Sequence, residues 1–342
     1  MSDFLIDSHG FIPVPIIVTE PALGGFGGGV APIFIKKRSP IRERDGKITR
    51  VPPDVTGAAA AYTLNGTWSI LAFRTGTWGK ARSKYRVGGG FADVNMEFYR
   101  TLANGTEFST EFNLRTIPIK GSLLKKFGAS PFSAGLSYTF LNTQLSIHDD
   151  KLPDFVTDKE IKSTVSMPGI TLEYDSRDNI FTPDTGIRTQ FNIGFSDNVF
   201  GSDYDYQNMN IFIYGFMKLR HNVIGGLRYE MQEVFGDVPF YLKPFVDLRG
   251  VPTMRYQGNI FSVAEAEVRW DIVPRWSILG FTGAGKAYDE WSAFGAADWA
   301  VSGGAGFRYL IARKFKVRTG LDLARGPEQW AYYIVFGSAW RR

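Results

Sequence analysis

Between residues 314 and 324 the chain reads KFKVRTGLDLA, with Phe315, Val317, Thr319, Leu321 and Leu323 on one side and Lys314, Lys316, Arg318, Gly320 and Asp322 on the other. The same period sets Ile187, Thr189, Phe191, Ile193 and Phe195 against Arg188, Gln190, Asn192, Gly194 and Ser196. It also sets Ala264, Ala266, Val268, Trp270 and Ile272 against Glu265, Glu267, Arg269 and Asp271. A period of two belongs to an extended strand, so each run is a strand with one apolar and one polar face. The runs reach about ten residues, whereas strands of soluble sheets average roughly five to six. A soluble sandwich also alternates. Charges standing mid-strand among other polar groups suit a wet lumen instead, and the opposite apolar face suits lipid. The alternation therefore favours a transmembrane barrel.

A hydropathy average is blind to such a fold, because lipid-facing and lumen-facing residues cancel. The mean hydropathy of −0.12 is thus no argument for a soluble protein. Tryptophans fall where strands are expected to end: Trp68 and Trp78, Trp270 and Trp276 around a short turn, and Trp330 and Trp340 on the last strand. Indoles with an apolar body and a polar tip form girdles at both barrel rims. Counting alternating runs gives sixteen strands, the first at 24–35, the fifth and sixth at 106–117 and 119–127, and the last at 330–340. An even count is what closed bacterial barrels require, since an open edge in hydrocarbon leaves backbone groups unsatisfied. The predicted fold is all-β: an antiparallel transmembrane barrel over 24–342, preceded by a short segment, 1–23. The longer pieces between strands are 36–54, 149–162 and 237–258. Gly24, Gly25, Gly27, Gly28 and Gly29 lie in the first expected strand, where missing side chains weaken pairing and register.

Several chemistries are not supported. The chain has no Cys, so it forms neither disulfides nor thiolate metal sites. His9, His148 and His221 are far apart and near loops, which speaks against a metal centre. No nucleophile-elbow, Walker or zincin pattern is present, and the Gly24–Gly29 stretch lacks the Lys and the helix of a phosphate loop. The net charge of +5 is spread along the chain, unlike a nucleic-acid footprint. Neither an enzyme nor a cofactor is indicated. The acids Glu265, Glu267 and Asp271 read as lumenal charges paired with Arg249, Arg269 and Arg308. The first ten residues, MSDFLIDSHG, show no basic-then-apolar signal pattern. Either a signal has been removed or the chain is not exported, and these residues do not distinguish the two.

Five motifs occur in order. D-x-R-D-N-x-x-x-P-x-x-G stands as Asp175, Arg177, Asp178, Asn179, Pro183 and Gly186, and D-L-R-G as Asp247, Leu248, Arg249 and Gly250. A-E-V-R follows at 266–269, G-A-G-F-R-Y at 304–309 and F-G-S-A-W at 336–340. Together they resemble the BamA/TamA-type superfamily of outer-membrane assembly and translocation barrels, the bacterial surface antigen family, from about residue 11 onward. The resemblance implies a Gram-negative outer membrane, a monomeric barrel among lipids, client polypeptides and a periplasmic partner. It implies that the first motif is a periplasmic hairpin, where Asp and Asn cap their own backbone and Pro and Gly set the turn. That motif is expected to be a stiff turn and nothing more.

By the same resemblance the 237–258 segment folds back into the lumen and Arg249 meets Glu267, expected as a bidentate pair. A second acid of the family sits in F-x-D-x-G; here Gly283 occupies its place, and Val251 replaces an aromatic after R-G. Glu265 is the nearest substitute, because residues two apart share a strand face. With residues 1–23 ahead of the first expected strand, the chain is expected to be a short member of the family without its POTRA domains. The resemblance also implies a lateral seam, between the Gly-rich first strand and a last strand carrying Gly337 and Trp340.

Overall fold

The computed structural model describes residues 11–18, 26–39, 41–42, 48–49, 51–78, 82–101, 107–128, 130–147 and 161–340. Strands β1 (Phe11–Val18), β2 (Gly27–Lys36), β3 (Ile41–Arg42), β4 (Ile48–Thr49), β5 (Asp54–Thr63) and β6 (Trp68–Trp78) open the chain. They are followed by β7 (Ser83–Thr101), β8 (Glu107–Lys126), β9 (Phe132–Ile147), β10 (Lys162–Asp175), β11 (Gly186–Ser196) and β12 (Tyr206–Arg220). The rest are β13 (Val223–Gly236), β14 (Ile260–Val273), β15 (Trp276–Tyr288), β16 (Ala300–Ala312), β17 (Val317–Arg325) and β18 (Trp330–Phe336). β3 and β4 make a two-stranded hairpin of their own. The other sixteen form one antiparallel sheet in chain order, each strand hydrogen-bonded to the next. The sheet curls into a nearly closed barrel.

The faces follow the alternation. On β14, Val268, Trp270 and Ile272 are each about 46–47% exposed, while Glu265 and Arg269 are 3% and 6%. Apolar side chains thus clothe the outside and charges line the lumen, as lipid outside and water inside demand. Among the described residues no helix is long and apolar enough to cross a membrane; a barrel crosses with strands.

Sixteen strands were expected and sixteen are observed, but the set differs at two places. Residues 106–117 and 119–127 were expected as two strands. They are one, β8, running through Pro118. Its pairing to β7 skips the two positions around Gly90 and Pro118 yet resumes in the same register at Ala92↔Thr116. A missing N–H therefore interrupts the ladder without ending the strand. Residues 11–18, expected ahead of the barrel, form β1 and pair with β2 from Phe11↔Phe34 to Val18↔Gly27.

This moves the seam. Gly27, Gly28 and Gly29 lie in β2, which is paired on both sides, to β1 and to β5. At Gly27 and Gly29 the lack of a side chain serves close approach: a Cβ on Gly27 would come within 2.8 Å of the Thr63 Cα, and one on Gly29 within 2.9 Å of the Ala61 Cβ. Gly24 and Gly25 lie outside the described residues. The first and last strands of the sheet are β1 and β18, and among the described residues no hydrogen-bonded ladder joins them. They meet through side chains. Val317 and Phe336 stand on the outward register of β17 and β18, yet both are buried in one cluster with Ile12, Ile33 and Ile35 from the inward register of β1 and β2. An outer face packed on an inner face means that the two ends of the sheet overlap there.

Candidate functional site

Three chain segments occupy the lumen, and each carries a motif singled out from the sequence. The long connection between β13 and β14, 237–259, folds inward as an irregular hairpin held by Phe245↔Gln257 bridging and by Val246 N–H donating to the Tyr256 carbonyl at 2.9 Å. Phe240 and Tyr241 anchor its start against Phe98, Phe112 and Leu145 on the inner wall. Val246, Leu248 and Val251 bury against Phe261, Val263 and Ala300. At the tip, Gly250 has φ +92°, and a Cβ there would meet the Gly326 nitrogen at 2.8 Å. Only glycine fits that conformation in that space. The Gly250 N–H donates to the Tyr333 hydroxyl of β18 at 2.8 Å.

The tip delivers Arg249, 9% exposed, to a cluster of carboxylates. Its Nη1 donates to Asp322 at 2.7 Å, while Nη2 serves both Glu267, at 3.0 Å, and Glu265. Its guanidinium lies 3.5 Å from the centre of the Phe281 ring. The expected bidentate pair with Glu267 is not what forms. The two arms of the fork go to different strands, and the bidentate partner of Asp322 is Arg308, through Nη1 at 2.5 Å and Nη2 at 2.9 Å. Arg228 continues the cluster, reaching Glu265 at 3.4 Å, Glu230 at 2.8 Å and Asp247 at 3.3 Å. Such mutual pairing keeps charges tolerable away from bulk water. A cavity of about 210 Å³ adjoins the cluster, lined in part by Tyr214, Arg228, Arg249 and Trp340. Among the described residues no group of three or more His, Cys, Asp or Glu is placed to hold a metal ion.

Gly283 explains the altered acid set. A Cβ there would lie 2.9 Å from the Leu248 side chain and 3.1 Å from the Glu265 Cγ. Leu248 and Glu265 fill the room an aspartate would need. Asp322 completes the site from β17, fully buried. It was legible only as an acid on a polar face, since nothing in KFKVRTGLDLA announces a partner 73 residues away.

The second segment is the 176–185 turn between β10 and β11, and it is more than stiff. Local capping is as its residue types suggest. Asp175 receives Arg177 through Nε and Nη2, both at 2.9 Å; Asp178 accepts the N–H of Asp184 at 2.9 Å and of Thr185 at 3.1 Å. Asn179 accepts the N–H of Phe181 and Thr182, both at 2.8 Å, and Gly186 takes φ +103°. Pro183 follows, beside a small void shared with Arg269 and Ser338. The turn then leaves its own hairpin. β10 and β11 are eighth and ninth of the sixteen strands, opposite the seam. Yet Phe181 buries in the seam cluster with Ile12, Phe315 and Phe336. Asn179 donates to the Phe315 carbonyl at 3.0 Å, and Asp184 pairs with Arg269 and, at 3.3 Å, with Lys316. The turn crosses the mouth of the barrel.

The third segment is the chain end. β18 stops at Phe336, Gly337 takes φ +80°, and residues 338–340 turn inward. Ser338 N–H donates to the Phe181 carbonyl at 2.7 Å. Trp340, expected as a rim aromatic on the last strand, is 4% exposed and packs with Phe212 and Tyr214. Its indole N–H donates to Glu265 at 2.9 Å, so the tail joins the Arg249 cluster. A positive φ at residue 337 breaks the extension that a rim position needs, and the sequence gives no sign of it beyond the glycine itself.

Solved structures share this architecture. The chain matches BamA from Haemophilus ducreyi lacking POTRA domains 1–3, with TM-score 0.61 and 12% identity, over 95% of this chain and 69% of that one. It matches CdiB from Escherichia coli at TM-score 0.62 and 10% identity, over 94% and 61%. CdiB from Acinetobacter baumannii gives 0.61 and 9%, over 96% and 59%. This chain thus spans about three fifths of the two CdiB chains. At these identities the likeness is one of fold: a sixteen-stranded barrel of the BamA and CdiB kind. No protein-family model and no curated protein matches the sequence.

Proposed function

We propose that this protein is a barrel of the Gram-negative outer membrane that helps other polypeptides insert into, or pass across, that membrane. The observation that carries the reading is the seam. A sheet whose first and last strands are held by overlapping side chains, with no ladder between them among the described residues, can part there without breaking a continuous row of backbone bonds. The likeness to BamA and CdiB supports the same reading at the level of fold. A periplasmic partner presents the clients, and the barrel acts as a monomer, without cofactor or catalytic chemistry.

A second reading has an observation of its own. Three segments fill the lumen, as they would in a plugged structural or receptor barrel. Depletion separates the two. Under the proposal, other outer-membrane barrels or surface lipoproteins fall in abundance while inner-membrane proteins do not. Unchanged levels of all of them leave the plugged barrel standing. Affinity capture from a crosslinked envelope is the companion measurement for the periplasmic partner.

A further inference from the structure

The inward face of β5, β6 and β7 departs from the polar rule of a barrel lumen. Gly57, Ala59 and Ala61 pair with Phe73, Leu71 and Ser69, and these in turn with Gly88, Gly90 and Ala92. Gly57 also pairs with Ile33, on the inward register of β2. The same register of β7 holds Lys84 and Arg86, which reach Glu173 on β10 across β8 and β9, a span that only the concave side allows. Leu71 and Phe73 therefore point into the lumen. They are 38% and 40% exposed, so the three lumenal segments leave much of each uncovered.

Glycines make this wall flat. A Cβ on Gly57 would lie 2.6 Å from the Phe73 ring, and one on Gly90 would lie 2.7 Å from a Leu71 methyl. Each large side chain lies down across a neighbouring glycine, and its other face meets open space. A lumenal wall in contact with water is otherwise polar. Contiguous exposed apolar surface rimmed by polar groups marks a binding groove.

The rim toward the chain ends is cationic. Thr75 pairs with Arg86 and Thr77 with Lys84, so these cations stand about 7 and 13 Å along the strand from the level of Phe73. Lys120 pairs with Gly88 and is exposed on the same inward register. Arg188 reaches Glu173 at 3.4 Å, beside Lys84 at 3.0 Å and Arg86 at 2.5 Å. Among the described residues, the carboxylates on the inward register of β5 to β11 are Glu173 and Asp175, and Asp175 holds Arg177. Positive charge is thus in excess, and the Arg86 side chain stays 36% exposed.

We propose that this wall binds an anionic single-chain lipid of the fatty-acid class. The acyl chain lies along Leu71 and Phe73, and the carboxylate meets Arg86 and Lys120. A guanidinium fork matches a carboxylate, which favours that head. The apolar floor favours an acyl chain over a polypeptide. An acyl chain needs no hydrogen bonds, whereas a polypeptide laid here would bury N–H and C=O groups against Ala59, Ala61, Leu71 and Phe73. The wall's own backbone is committed to the β5–β6–β7 ladders. The inference goes beyond the polypeptide-handling function proposed above and does not rest on it.

The chain has no Cys, so Ala59→Cys places a single bimane label on this wall, and Ala58→Cys places one on the lipid-facing side. The full-length protein is held in phosphatidylcholine nanodiscs and titrated with dibromostearate, whose bromines quench bimane. Quenching should saturate at residue 59 and rise without saturation at residue 58. Lys120→Glu, at an exposed site, should weaken saturable binding several-fold, as should Leu71→Ser with Phe73→Ser. If that double variant does not fold, Phe73→Ser alone carries this arm. Dibromostearyl alcohol, which has the same tail without the charge, should bind several-fold more weakly. An unsaturable signal at residue 59, equal binding of acid and alcohol, or binding that Lys120→Glu leaves unchanged overturns the proposal. So does a response at residue 59 to a urea-unfolded outer-membrane barrel and none to dibromostearate, which would make the wall a polypeptide path.

Discussion

Arg249 is the residue on which the lumenal loop turns. It is nearly buried, and its fork is divided among acids on β14 and β17. Removing one partner of a buried charge cluster costs about 3–5 kcal/mol, because the rest is left uncompensated. Arg249→Ala should therefore release the 237–259 loop to limited proteolysis while the barrel stays folded. Arg249→Lys should do nearly as badly, since one ammonium does not span the reach of a planar fork. Gly283 makes a second test. Restoring an aspartate there should loosen the same loop, because Leu248 and Glu265 already fill the space. Gly283→Asp combined with Glu265→Gly should recover part of the protease resistance. At this scale the sequence was informative about faces and not about partners. Glu265, Glu267 and Asp322 were all visible as acids on polar faces. That Asp322 is shared by Arg249 and Arg308 depends on a loop tip reaching β17, which no local pattern encodes.

Among the elements, the 176–185 turn has the widest reach. Burial alone would raise the Asp184 carboxyl, but the hydrogen bond and charge of Arg269, with Lys316 beside it, hold it below its ordinary value. A group whose folded-state pKa is depressed adds stability above its unfolded value, and loses it as pH falls through the folded one. Anchoring of the turn should thus be complete at neutral pH and fade below about pH 4. Amide exchange at Phe181 and Thr182 is the measurement, and Asp184→Asn should remove the pH dependence from this group. The capping of this turn was legible, because Asp, Asn and Gly do locally what their chemistry dictates. Its span was not, because Ile180 and Phe181 look like any apolar pair until the seam cluster is seen. β1 escaped notice for a related reason. FIPVPIIV is apolar on both faces and broken by prolines, so it lacks the alternation by which the other strands were found.

At the scale of the molecule, the strand number was anticipated through two errors that cancelled: β8 counted twice and β1 not at all. The barrel itself was legible, because the alternation runs over about ten residues in strand after strand, longer than soluble strands average. What alternation cannot report is the filling of the lumen, since plug segments obey no strand period. That filling is layered. The 237–259 loop enters from the end opposite the described chain ends, while the 176–185 turn and residues 338–340 enter from the same end as they do. The two layers touch through Trp340 and Glu265. Ionic conductance should therefore respond to the layers unequally. Replacing 245–257 with a short Gly-Ser linker clears one end and leaves Phe181, Ser338 and the seam cluster across the other, so single-channel conductance in planar bilayers should rise only slightly. Shortening the 176–185 turn as well should open a continuous path and raise it severalfold. A full opening from the loop deletion alone would mean that the turn does not occlude its end of the barrel.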